Sequence, residues 1–580
     1  MPARFYNKVI IPFFFLFQIC LSAKAQYIQQ GPKLLGNDII FNAYAGFSVA
    51  LSADGNTAIV GGFGDNTGVG AAWVYIRSGG VWIQQGPKLV GSNAIGNAHQ
   101  GISVDISADG NTVIIGGYAD DSFKGAAWIF NRINETWIQK SKIVGSNSVG
   151  APLMGISVAI SGDGNTAIIG GSSDSSNRGA AWIFINNGGI WSQQGPKLVG
   201  TGFIGDNAFQ GTSVSISNDG NTVVVGAQED NNGIGAIWVH ERNGTIWSQT
   251  GAKLVGSGAI NLPKQGYACD ISGDGNTIVV GGMNDNFGQG ALWVFTKSTS
   301  GWLQQGNKLI CNGNVGVPIL GRSVSISSDG NTIVSGGPGD SNGMGAAWVF
   351  IRAGNTWSQS GNKISGTGTA GLSEQGRSVN ISADASTITV GGSNDSVTVG
   401  ASWMFSLESA PTINSFNPPF ATNGATIEIN GVNFNEGTSS LTFGGVPALS
   451  YTVVNATKIN AQVGAGASGN INVVTSKGTA IIRGFVYNTA TSVNNLEQGE
   501  SITIAPNPIR NEIIVRYKLN GMGNRLLFSL FNAEGDLLIT DRSISSGEAI
   551  YSAYLPSGIY YARLQSNLTK RFYIFKITKY

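Results

Sequence analysis

A unit of about 55 residues recurs seven times between residues 46 and 405. Each unit carries the phrase Asp-Gly-Asn-Thr, which has changed to Asp-Ala-Ser-Thr in the last copy. The Asp of this phrase stands at positions 54, 109, 163, 219, 274, 329 and 384. A fixed period of this size is typical of solenoids and propellers, in which each unit is one supersecondary element.

The residue pattern of the repeat predicts four antiparallel strands. In the first unit they span residues 46–52, 57–62, 71–77 and 81–90, and the Asp-Gly-Asn turn joins the first two. Glycine supplies 85 of the 580 residues, about twice its usual share of roughly 7%. Abundant Gly together with Val, Ile, Thr and Trp favours many short strands joined by tight turns. Four antiparallel strands per repeat are the pattern of a propeller blade.

The ends of the repeat array predict a closed ring. Residues 27–34 read YIQQGPKL, which matches the outer strand WIQQGPKL at residues 82–89. The seventh unit stops after its third strand, at Phe405, and has no outer strand of its own. We therefore expect the N-terminal strand to complete the last blade, because closure removes exposed sheet edges. The predicted fold is an all-β, seven-bladed β-propeller over residues 26–408.

Two further residue types repeat with the blades. A Trp recurs on the third strand of every unit and a second Trp on the outer strand of six, which accounts for all 13 Trp. We therefore interpret the Trp residues as packing positions. A second Asp follows the first by eleven residues in every unit: Asp65, Asp120, Asp174, Asp230, Asp285, Asp340 and Asp395.

The units resemble FG-GAP repeats, the blades of integrin-alpha-type propellers, as in GISVDISADGNTVIIGGYADDSFKGAAWIF at residues 101–130. The resemblance covers about residues 27–405 and implies a calcium-binding hairpin loop. In the first unit, however, Ala50, Ser52 and Ala58 occupy the expected ligand positions. Calcium takes six to eight oxygen ligands, so calcium is disfavoured, no cofactor is expected, and Asp-Gly-Asn is interpreted as a plain hairpin turn.

The second Asp set lies in loops on the face where, by resemblance, integrin-type propellers bind partners. Seven carboxylates could attract a cation or a basic ligand there. Alternatively, each Asp caps backbone amides of its own turn, the common role of Asp in loops, and we favour this structural interpretation. Asp65 and its six equivalents are thus the candidate residues of a ligand-binding face.

The N-terminus predicts a signal peptide over residues 1–25. Arg4 and Lys8 precede an apolar run, Val9–Leu21, and an Ala-Lys-Ala site predicts cleavage between Ala25 and Gln26. The run is shorter than the roughly 20 residues that span a bilayer. We therefore expect an exported mature chain without a membrane span.

Two further β domains are expected after the propeller. Residues 409–488, with the string PTINSFNPPFATNGATIEINGVNF, resemble the IPT/TIG immunoglobulin-like domain, which implies a non-catalytic spacer or contact module. A polar linker follows at residues 489–500. Residues 501–580 resemble the C-terminal sorting domain of the type IX secretion system in their motifs Pro506-Asn507-Pro508, Asn532–Gly535 and Ser557–Tyr560. The resemblance implies a small β-sandwich read by that machinery and delivery through the periplasm to the cell surface or the medium.

Net charge and isolated residues bear on which classes of function are open to the chain. The net charge of +1 gives no electrostatic case for nucleic-acid binding. Cys269 and Cys311 are either bridged or two separate thiols. The two histidines, His99 and His240, have no evident catalytic partner, and the Gly-x-Ser-x-Gly match at residues 339–343 is a blade loop. Non-repeated acids leave a glycosidase-like pair open: Asp38, Asp121, Asp206, Glu229 and Glu374.

We expect a non-catalytic binding or adhesion protein that is secreted or displayed at the cell surface. The propeller would be its recognition body for an extracellular protein or glycan. The alternatives are a secreted carbohydrate-active enzyme and a purely structural surface or matrix component. An enzyme would need two or three polar residues that break the repeat symmetry and meet near the propeller axis.

Overall fold

The computed structural model describes residues 27–78, 80–407, 411–434, 437–475, 478–487, 496, 498–520, 525–533, 535–566 and 571–579. The predicted signal peptide with its cleavage site at Ala25 and Gln26, and most of the predicted linker, lie outside these residues. The chain divides into two compact units, one ending at Leu407 and one beginning at Glu408.

The first unit is a seven-bladed β-propeller of four-stranded antiparallel sheets. Blade 1 contains Ser48–Leu51, Thr57–Gly62, Ala71–Ser78 and Val81–Gln84. Blade 2 contains Ser103–Ile106, Thr112–Gly117, Ala126–Ile133 and Thr136–Ile143. Blade 3 contains Ser157–Ile160, Thr166–Gly171, Ala180–Asn187 and Ile190–Gln193. Blade 4 contains Ser213–Ile216, Thr222–Ala227, Ala236–Asn243 and Ile246–Gln249.

The remaining blades follow the same order. Blade 5 contains Ala268–Ile271, Thr277–Gly282, Ala291–Ser298 and Gly301–Gln304. Blade 6 contains Ser323–Ile326, Thr332–Gly337, Ala346–Ala353 and Thr356–Gln359. Blade 7 contains Ser378–Ile381, Thr387–Gly392, Ala401–Leu407 and, as its outer strand, Tyr27–Gln29. The first strand of each blade contacts that of the next, and blade 7 contacts blade 1.

The predicted closure of the ring is confirmed. Tyr27–Gln29 pairs antiparallel with the third strand of blade 7, with Tyr27 opposite Leu407. Inside the ring, the backbone N–H of Ala383 in blade 7 donates to the carbonyl of Ala53 in blade 1 at 3.0 Å. Every blade therefore has four strands, and the third strand of blade 7 has no unpaired edge.

The core explains the high glycine content. Trp73 of the third strand is completely buried, as are its six equivalents. A Cβ atom at Gly62 would lie 2.8 Å from the Trp73 ring, and one at Gly91 would lie 2.1 Å from the Trp128 ring. Real Cβ atoms do not approach so closely, so glycine is the residue that lets each indole lie against backbone. The interpretation of these Trp residues as packing positions is confirmed.

The outer strands are shorter than predicted. In blade 1 the strand ends at Gln84 instead of continuing to residue 90. Gly86 adopts a φ of 74° and interrupts the ladder, which resumes as a single bridge between Leu89 and Ala72. Gly86-Pro87 is a typical turn signal, so this break could have been predicted from the sequence.

The Asp-Gly-Asn segments are plain hairpin turns, as predicted. The carboxylate of Asp54 accepts hydrogen bonds from the backbone N–H and the side-chain amide of Asn56, both at 2.9 Å. It also accepts the hydroxyl of Ser52, while Gly55 takes a φ of 63°. Both carboxylate oxygens are thus engaged within the turn itself.

Seven four-residue turns join the second and third strands. Each begins at one of the second-set Asp residues and has helix-type hydrogen bonds, but its middle residues are left-handed, as Asn66 (φ 49°) and Thr67 (φ 56°) are. The turns span Asp65–Gly68, Asp120–Phe123, Asp174–Asn177, Asp230–Gly233, Asp285–Gly288, Asp340–Gly343 and Asp395–Thr398. Strand periodicity could not anticipate them.

The second unit contains two β-sandwiches with separate cores. One sheet of the first consists of Thr412–Asn417, Thr426–Val432, Lys458–Gln462 and Ser450–Asn455. Its other sheet consists of Phe420–Ala421, Gly478–Tyr487, Gly469–Thr475, Ser440–Phe443 and Val446–Pro447. The last sandwich pairs Ser501–Ala505, Glu512–Lys518 and Ala549–Tyr551 with Leu537–Ser545, Arg525–Asn532, Gly558–Gln565 and Phe572–Lys579. Across the described part of the chain, no helix is long and apolar enough to cross a membrane.

Candidate functional site

The seven first strands surround a central channel with two unlike ends. At the start of these strands the channel opens into a cavity of about 480 Å³, which we call the mouth. At their end it narrows to about 120 Å³. Seven backbone hydrogen bonds of 2.9–3.2 Å between successive blades encircle the narrow end, beginning with Ala53 to Ala108. A ligand-sized space therefore exists at the mouth and not at the narrow end, since small-molecule sites usually have about 300–1,000 Å³.

One position of the mouth holds a different residue type in every blade. It lies just before the first strand and always adopts a left-handed backbone, with φ between 54° and 60°. Left-handed backbone costs an ordinary residue about 1–2 kcal/mol relative to the right-handed form. Although the chain has 85 glycines, none occupies this position. The seven residues are Tyr44, His99, Leu153, Phe209, Lys264, Ile319 and Glu374.

These seven residues share one rigid frame. The backbone N–H of each donates to a carbonyl of the four-residue turn region in the preceding blade, over 2.8–3.1 Å, as Tyr44 does to Thr398 and His99 to Gly68. The frame is therefore constant while the side chains differ. Backbone strain of this kind is concentrated at functional sites, and a rigid scaffold that carries variable loop residues is the usual arrangement of a binding surface.

Aromatic residues occupy the blade 1 and blade 2 side of the mouth. We call this cluster the aromatic patch, and its ring centroids lie 4.8–5.7 Å apart. It consists of Tyr44, Phe47, Phe63, His99 and Tyr118. His99 Nδ1 lies 2.9 Å from the Tyr118 hydroxyl, and burial lowers the pKa of His99. The imidazole is therefore predominantly neutral at neutral pH and belongs to the patch.

Charged residues occupy the neighbouring blades 6 and 7. Arg322 of blade 6 and Arg377 of blade 7 stand at the first-strand position that holds Phe47 in blade 1. Both line the mouth and a neighbouring cavity of about 390 Å³. The mouth thus breaks the sevenfold symmetry, with the aromatic patch at blades 1 and 2 and two cations in the adjoining blades 6 and 7.

Two acids break the symmetry at the narrow end. Asp105 and Asp270 stand at the first-strand position that is Ala50 in blade 1. Asp105 accepts the backbone N–H groups of Ile106 at 2.9 Å and of Ile160, in the next blade, at 2.8 Å. Burial raises the pKa of Asp105 to about 7, and repulsion from Asp270 adds to the rise. Burial likewise raises the pKa of Asp270.

Sequence reasoning missed these channel residues as a site. The available signal was the comparison of one first-strand position across all seven repeats, which reads Ala50, Asp105, Ala159, Ser215, Asp270, Ser325 and Asn380. Only the closed ring shows that these seven positions meet around one axis.

The predicted Asp ring lies inside the blade interfaces. Asp65 accepts the backbone N–H of Ile40 at 2.7 Å through one oxygen and pairs with Lys88 at 2.5 Å through the other. All seven Asp side chains are 0–2% exposed and each pairs with a Lys. The Asp residues are Asp65, Asp120, Asp174, Asp230, Asp285, Asp340 and Asp395. These contacts are those of structural cross-links, and a ligand-binding role of the ring stays an untested prediction.

The lysine partners were also missed, although their signal was present. Lys88 belongs to the repeated Gly-Pro-Lys-Leu segment of the outer strand. Its equivalents are Lys33, Lys142, Lys197, Lys253, Lys308 and Lys363. A repeated cation in the same unit as a repeated acid indicates an ion pair in every blade.

Four of the five non-repeated acids have partners of their own. Asp38 accepts the Trp73 indole N–H at 2.7 Å and the Lys88 backbone N–H at 2.8 Å. Asp121 pairs with Lys124, Glu229 with Lys264 and Glu374 with Arg377, whereas Asp206 is exposed. Within the described residues, no hydrogen bond or ion pair joins two of these acids, and a glycosidase-like pair stays an untested alternative.

The remaining candidates from the sequence lie apart from one another. His240 is buried on the third strand of blade 4, and burial lowers its pKa to about 4. Cys269 and Cys311 are both free thiols, Cys269 buried beside the channel and Cys311 half-buried. Of the two alternatives that the sequence left open, two separate thiols are therefore the one observed.

Solved structures with similar strand arrangements are remote from this chain. The hydrazine synthase of Kuenenia stuttgartiensis matches with a TM-score of 0.38 and 11% identity over 62% of this chain and 95% of that one. The periplasmic gluconolactonase of Pseudomonas aeruginosa matches with a TM-score of 0.36 and 15% identity over 55% of this chain and 84% of that one. The WD40 repeats of RRP9 match with a TM-score of 0.39 and 9% identity over 67% of this chain and 98% of that one. Likenesses of this degree carry no functional conclusion.

No curated protein matches the chain. One family model does match part of it, namely the IPT/TIG domain over residues 411–493. This stretch is the first sandwich of the second unit, whose expected resemblance is thereby confirmed. A propeller and an immunoglobulin-like domain are compatible with a binding or recognition role. Residues 411–493 form an IPT/TIG domain.

Proposed function

We propose that this protein is an exported, non-catalytic binding protein that recognises its ligand with the mouth of the propeller. The observation that carries the proposal is the set of seven left-handed positions from Tyr44 to Glu374. One backbone frame is repeated seven times, yet it presents seven different side chains at the channel entrance, of which Leu153 and Phe209 line the mouth cavity itself. Glycine would adopt this backbone at lower cost, yet every blade has a side chain there.

The chemistry of the mouth supports binding more than catalysis. Its unique residues are aromatic rings and arginines, which supply contact area and charge. General acid–base catalysis requires a titratable group near the reacting atoms. The two acids with raised pKa values, Asp105 and Asp270, instead lie at the narrow end and accept backbone N–H groups there.

The proposed destination rests on the sequence. A signal peptide with cleavage after Ala25 would carry the chain across the inner membrane, and the type IX-like tail over residues 501–580 would direct it onward. The FG-GAP resemblance supports a surface-displayed or released protein with an extracellular protein or glycan as ligand. The IPT/TIG domain would separate the propeller from the tail.

Binding can be tested with the full mature chain on glycan and protein arrays. The matched variant replaces Tyr44, Phe209 and Lys264 with glycine, which suits their left-handed backbone. We expect specific binding by the wild type and its loss in the triple variant, whose melting temperature stays close to that of the wild type. Turnover of a bound glycan would favour the carbohydrate-active enzyme. Equal binding by both proteins would contradict recognition by the mouth.

Export can be tested separately by removing residues 501–580. The last sandwich has its own core, so its removal leaves the propeller core intact. We expect the truncated protein to be folded and to accumulate in the periplasm of a host with a type IX system. Truncated protein at the surface or in the medium at wild-type levels would contradict the sorting assignment.

A further inference from the structure

Arg322 has a guanidinium with no polar partner. Its carbon lies 4.5 Å from the centre of the Tyr267 ring. Among the residues that the structure describes, no side-chain or backbone group forms a hydrogen bond or ion pair with it. An Arg side chain carries five N–H donors, and those of Arg322, which is half-buried in the wall of the mouth, are available to an acceptor that enters the mouth. The surrounding protein therefore leaves room for an acceptor.

Arg377, in the next blade, is only partly compensated. Its guanidinium lies 4.5 Å from the centre of the Phe47 ring. Its nearest acid is Glu374, with 3.6 Å between Nη1 and the carboxylate, beyond hydrogen-bond distance. Its buried Nε has no hydrogen-bond partner. One carboxylate thus faces two guanidinium groups, which leaves an excess positive charge at this side of the mouth.

The charge is specific to two blades and is not part of the repeat. The equivalent residues in the other five blades are Phe47, Ile102, Ile156, Thr212 and Tyr267. Burial and the nearby Arg377 lower the pKa of Arg322 to about 10, so the side chain still carries its charge at neutral pH. Two adjacent charged groups in one cavity wall would both be stabilised by a shared anion.

We propose that Arg322 and Arg377 form an anion subsite that binds the acidic group of an acidic saccharide in the propeller mouth. The guanidinium fork matches carboxylate and sulfate oxygens in a bidentate manner. Phe47 contacts Arg377 and also belongs to the aromatic patch. A sugar ring could therefore lie on aromatic faces while its acidic group reaches the arginines. This ligand class rests on the proposed function, because it assigns what the mouth recognises.

The size of the site agrees with one or two sugar units. The mouth and the neighbouring cavity have volumes of about 480 and 390 Å³ and share both arginines. An acidic peptide would also offer carboxylates, but it would make no particular use of the adjoining aromatic rings. An acidic saccharide is therefore the proposed ligand, and an acidic peptide is included in the second experiment below as the competing ligand.

The first experiment tests the anion subsite without its ligand. The melting temperature of the full mature chain is measured in sodium sulfate and in sodium chloride of equal ionic strength. The proteins are wild type, R322M, R377M and K140Q, which removes an exposed charge from an outer strand far along the chain from the arginines. We expect sulfate to stabilise wild type and K140Q more than R322M and R377M. An equal sulfate effect in all four proteins would overturn the subsite.

The same variants separate an anion subsite from a structural role. Because Arg322 makes no hydrogen bond, R322M should melt no lower than the wild type in chloride. A structural arginine would instead lower the melting temperature when replaced. A marked loss of stability in R322M would therefore overturn the assignment of its free donors to a ligand.

The second experiment identifies the ligand class by calorimetry. The probes are a galacturonic acid trimer, a sulfated disaccharide, a neutral galactose trimer and an Asp-Glu tetrapeptide. Charge-assisted hydrogen bonds contribute about 1.5–3 kcal/mol, so we expect R322M to weaken binding of an acidic saccharide by at least about tenfold. The neutral trimer should bind weakly to both proteins. Binding of the tetrapeptide as tight as that of the saccharides, or failure of both acidic saccharides to bind, would overturn the ligand class.

The two proposals, recognition by the mouth and the anion subsite, predict different results for the same variants. An array ligand that binds R322M and R377M as tightly as the wild type would sink the anion subsite and leave recognition by the mouth in place. Conversely, an arginine-dependent sulfate effect together with binding that survives the Tyr44, Phe209 and Lys264 replacements would support the subsite and contradict the wider binding surface.

Discussion

The Lys33 ammonium group pairs with the carboxylate of Asp395, 362 residues further along the chain. Asp395 is completely buried in this pair and Lys33 is 15% exposed. In the other six blades the equivalent Lys follows its Asp by 22 or 23 residues within the same blade, as Lys88 follows Asp65. The same local contact thus becomes, in blade 7, a connection between the beginning and the end of the propeller.

Removal of residues 26–36 should destabilise the propeller, because it removes the Tyr27–Gln29 strand and the partner of Asp395. The point variant K33M should lower the free energy of unfolding by about 3–5 kcal/mol, as expected when a buried charge loses its partner. All 13 Trp lie in the propeller repeats, so intrinsic fluorescence reports its unfolding. The variant K33M/D395N is the control and should recover much of the loss. Unchanged unfolding of the truncated chain would contradict ring closure.

Replacement of Asp285 with Ala should destabilise the fold without removing a binding function. Asp285 accepts the Ile260 backbone N–H at 2.7 Å and pairs with Lys308. Loss of the carboxylate leaves both groups without their partner, at a cost of about 3–5 kcal/mol. Guanidinium denaturation followed by fluorescence measures this loss, and D285A/K308M should recover part of it. Lost ligand binding at unchanged stability would instead give the Asp ring a functional role.

The backbone strain at the left-handed position of the mouth can be measured by replacing isoleucine with glycine at two positions of blade 6. Ile319 adopts a φ of 60°, whereas Ile326 lies buried in the first strand of the same blade. Ile326→Gly should cost at least about 3 kcal/mol, since large core side chains cost 2–5 kcal/mol when truncated. Ile319→Gly should cost much less, because glycine relieves about 1–2 kcal/mol of left-handed strain. Equal losses in the two variants would show that the mouth position is not strained.

The contribution of Asp105 to stability should fall as the pH rises from about 4 to 7, against an opposing rise from His240, whose pKa burial lowers to about 4. Burial raises the pKa of Asp105 from its ordinary value of 3.8 to about 7 in the folded protein. Between these values the native state binds more protons than the unfolded state, and stability therefore decreases with pH. The slope that Asp105 contributes should vanish above pH 7, where its carboxyl is deprotonated in both the folded and the unfolded state.

The variant D105N should flatten this slope. Asn is compatible with the ring, because Asn380 occupies the equivalent position and accepts the Leu51 N–H at 3.0 Å. Denaturation curves at pH values between 4 and 8 provide the measurement, and D105N/D270N should be flatter still. The same slope in wild type and in the double variant would assign the dependence to other groups.

Calcium should change the melting temperature very little. The carboxylate of Asp54 is already engaged by Ser52 and Asn56 within its turn. A site occupied at a hundredfold excess over Kd would add about 2.7 kcal/mol. Melting curves in millimolar calcium and in chelator should therefore coincide. A rise of many degrees with calcium would contradict this interpretation of the loops.

The architecture could be predicted from the sequence to a large extent. The repeat period, the Trp positions and the displaced outer strand at residues 27–34 specify blade number and closure, because each is a pattern of local segments. The Asp-Gly-Asn turns are equally local. The break in the outer strand of blade 1 at Gly86 was not predicted, although Gly86-Pro87 is a turn signal.

The mouth could not be read from the sequence alone. Phe47 and Arg377 are 330 residues apart, and only closure of the ring brings them around the same cavity. Likewise, nothing local distinguishes Arg322 and Arg377 from solvated surface charges. Their lack of acceptors becomes visible only when the neighbouring blades surround them.

The sequence by itself therefore determined the repeating unit, its strands, the number of blades and the strand that closes the ring. These features follow from hydrophobic periodicity and turn chemistry, which act within a few residues. Only the tertiary structure decided that Asp65 is a buried cross-link, that Asp105 and Asp270 share the channel, and that the arginine pair adjoins the aromatic patch. Burial, and the presence or absence of a partner for a charge, arise from segments that meet in space, so the closed ring had to be formed before these residues acquired their environments.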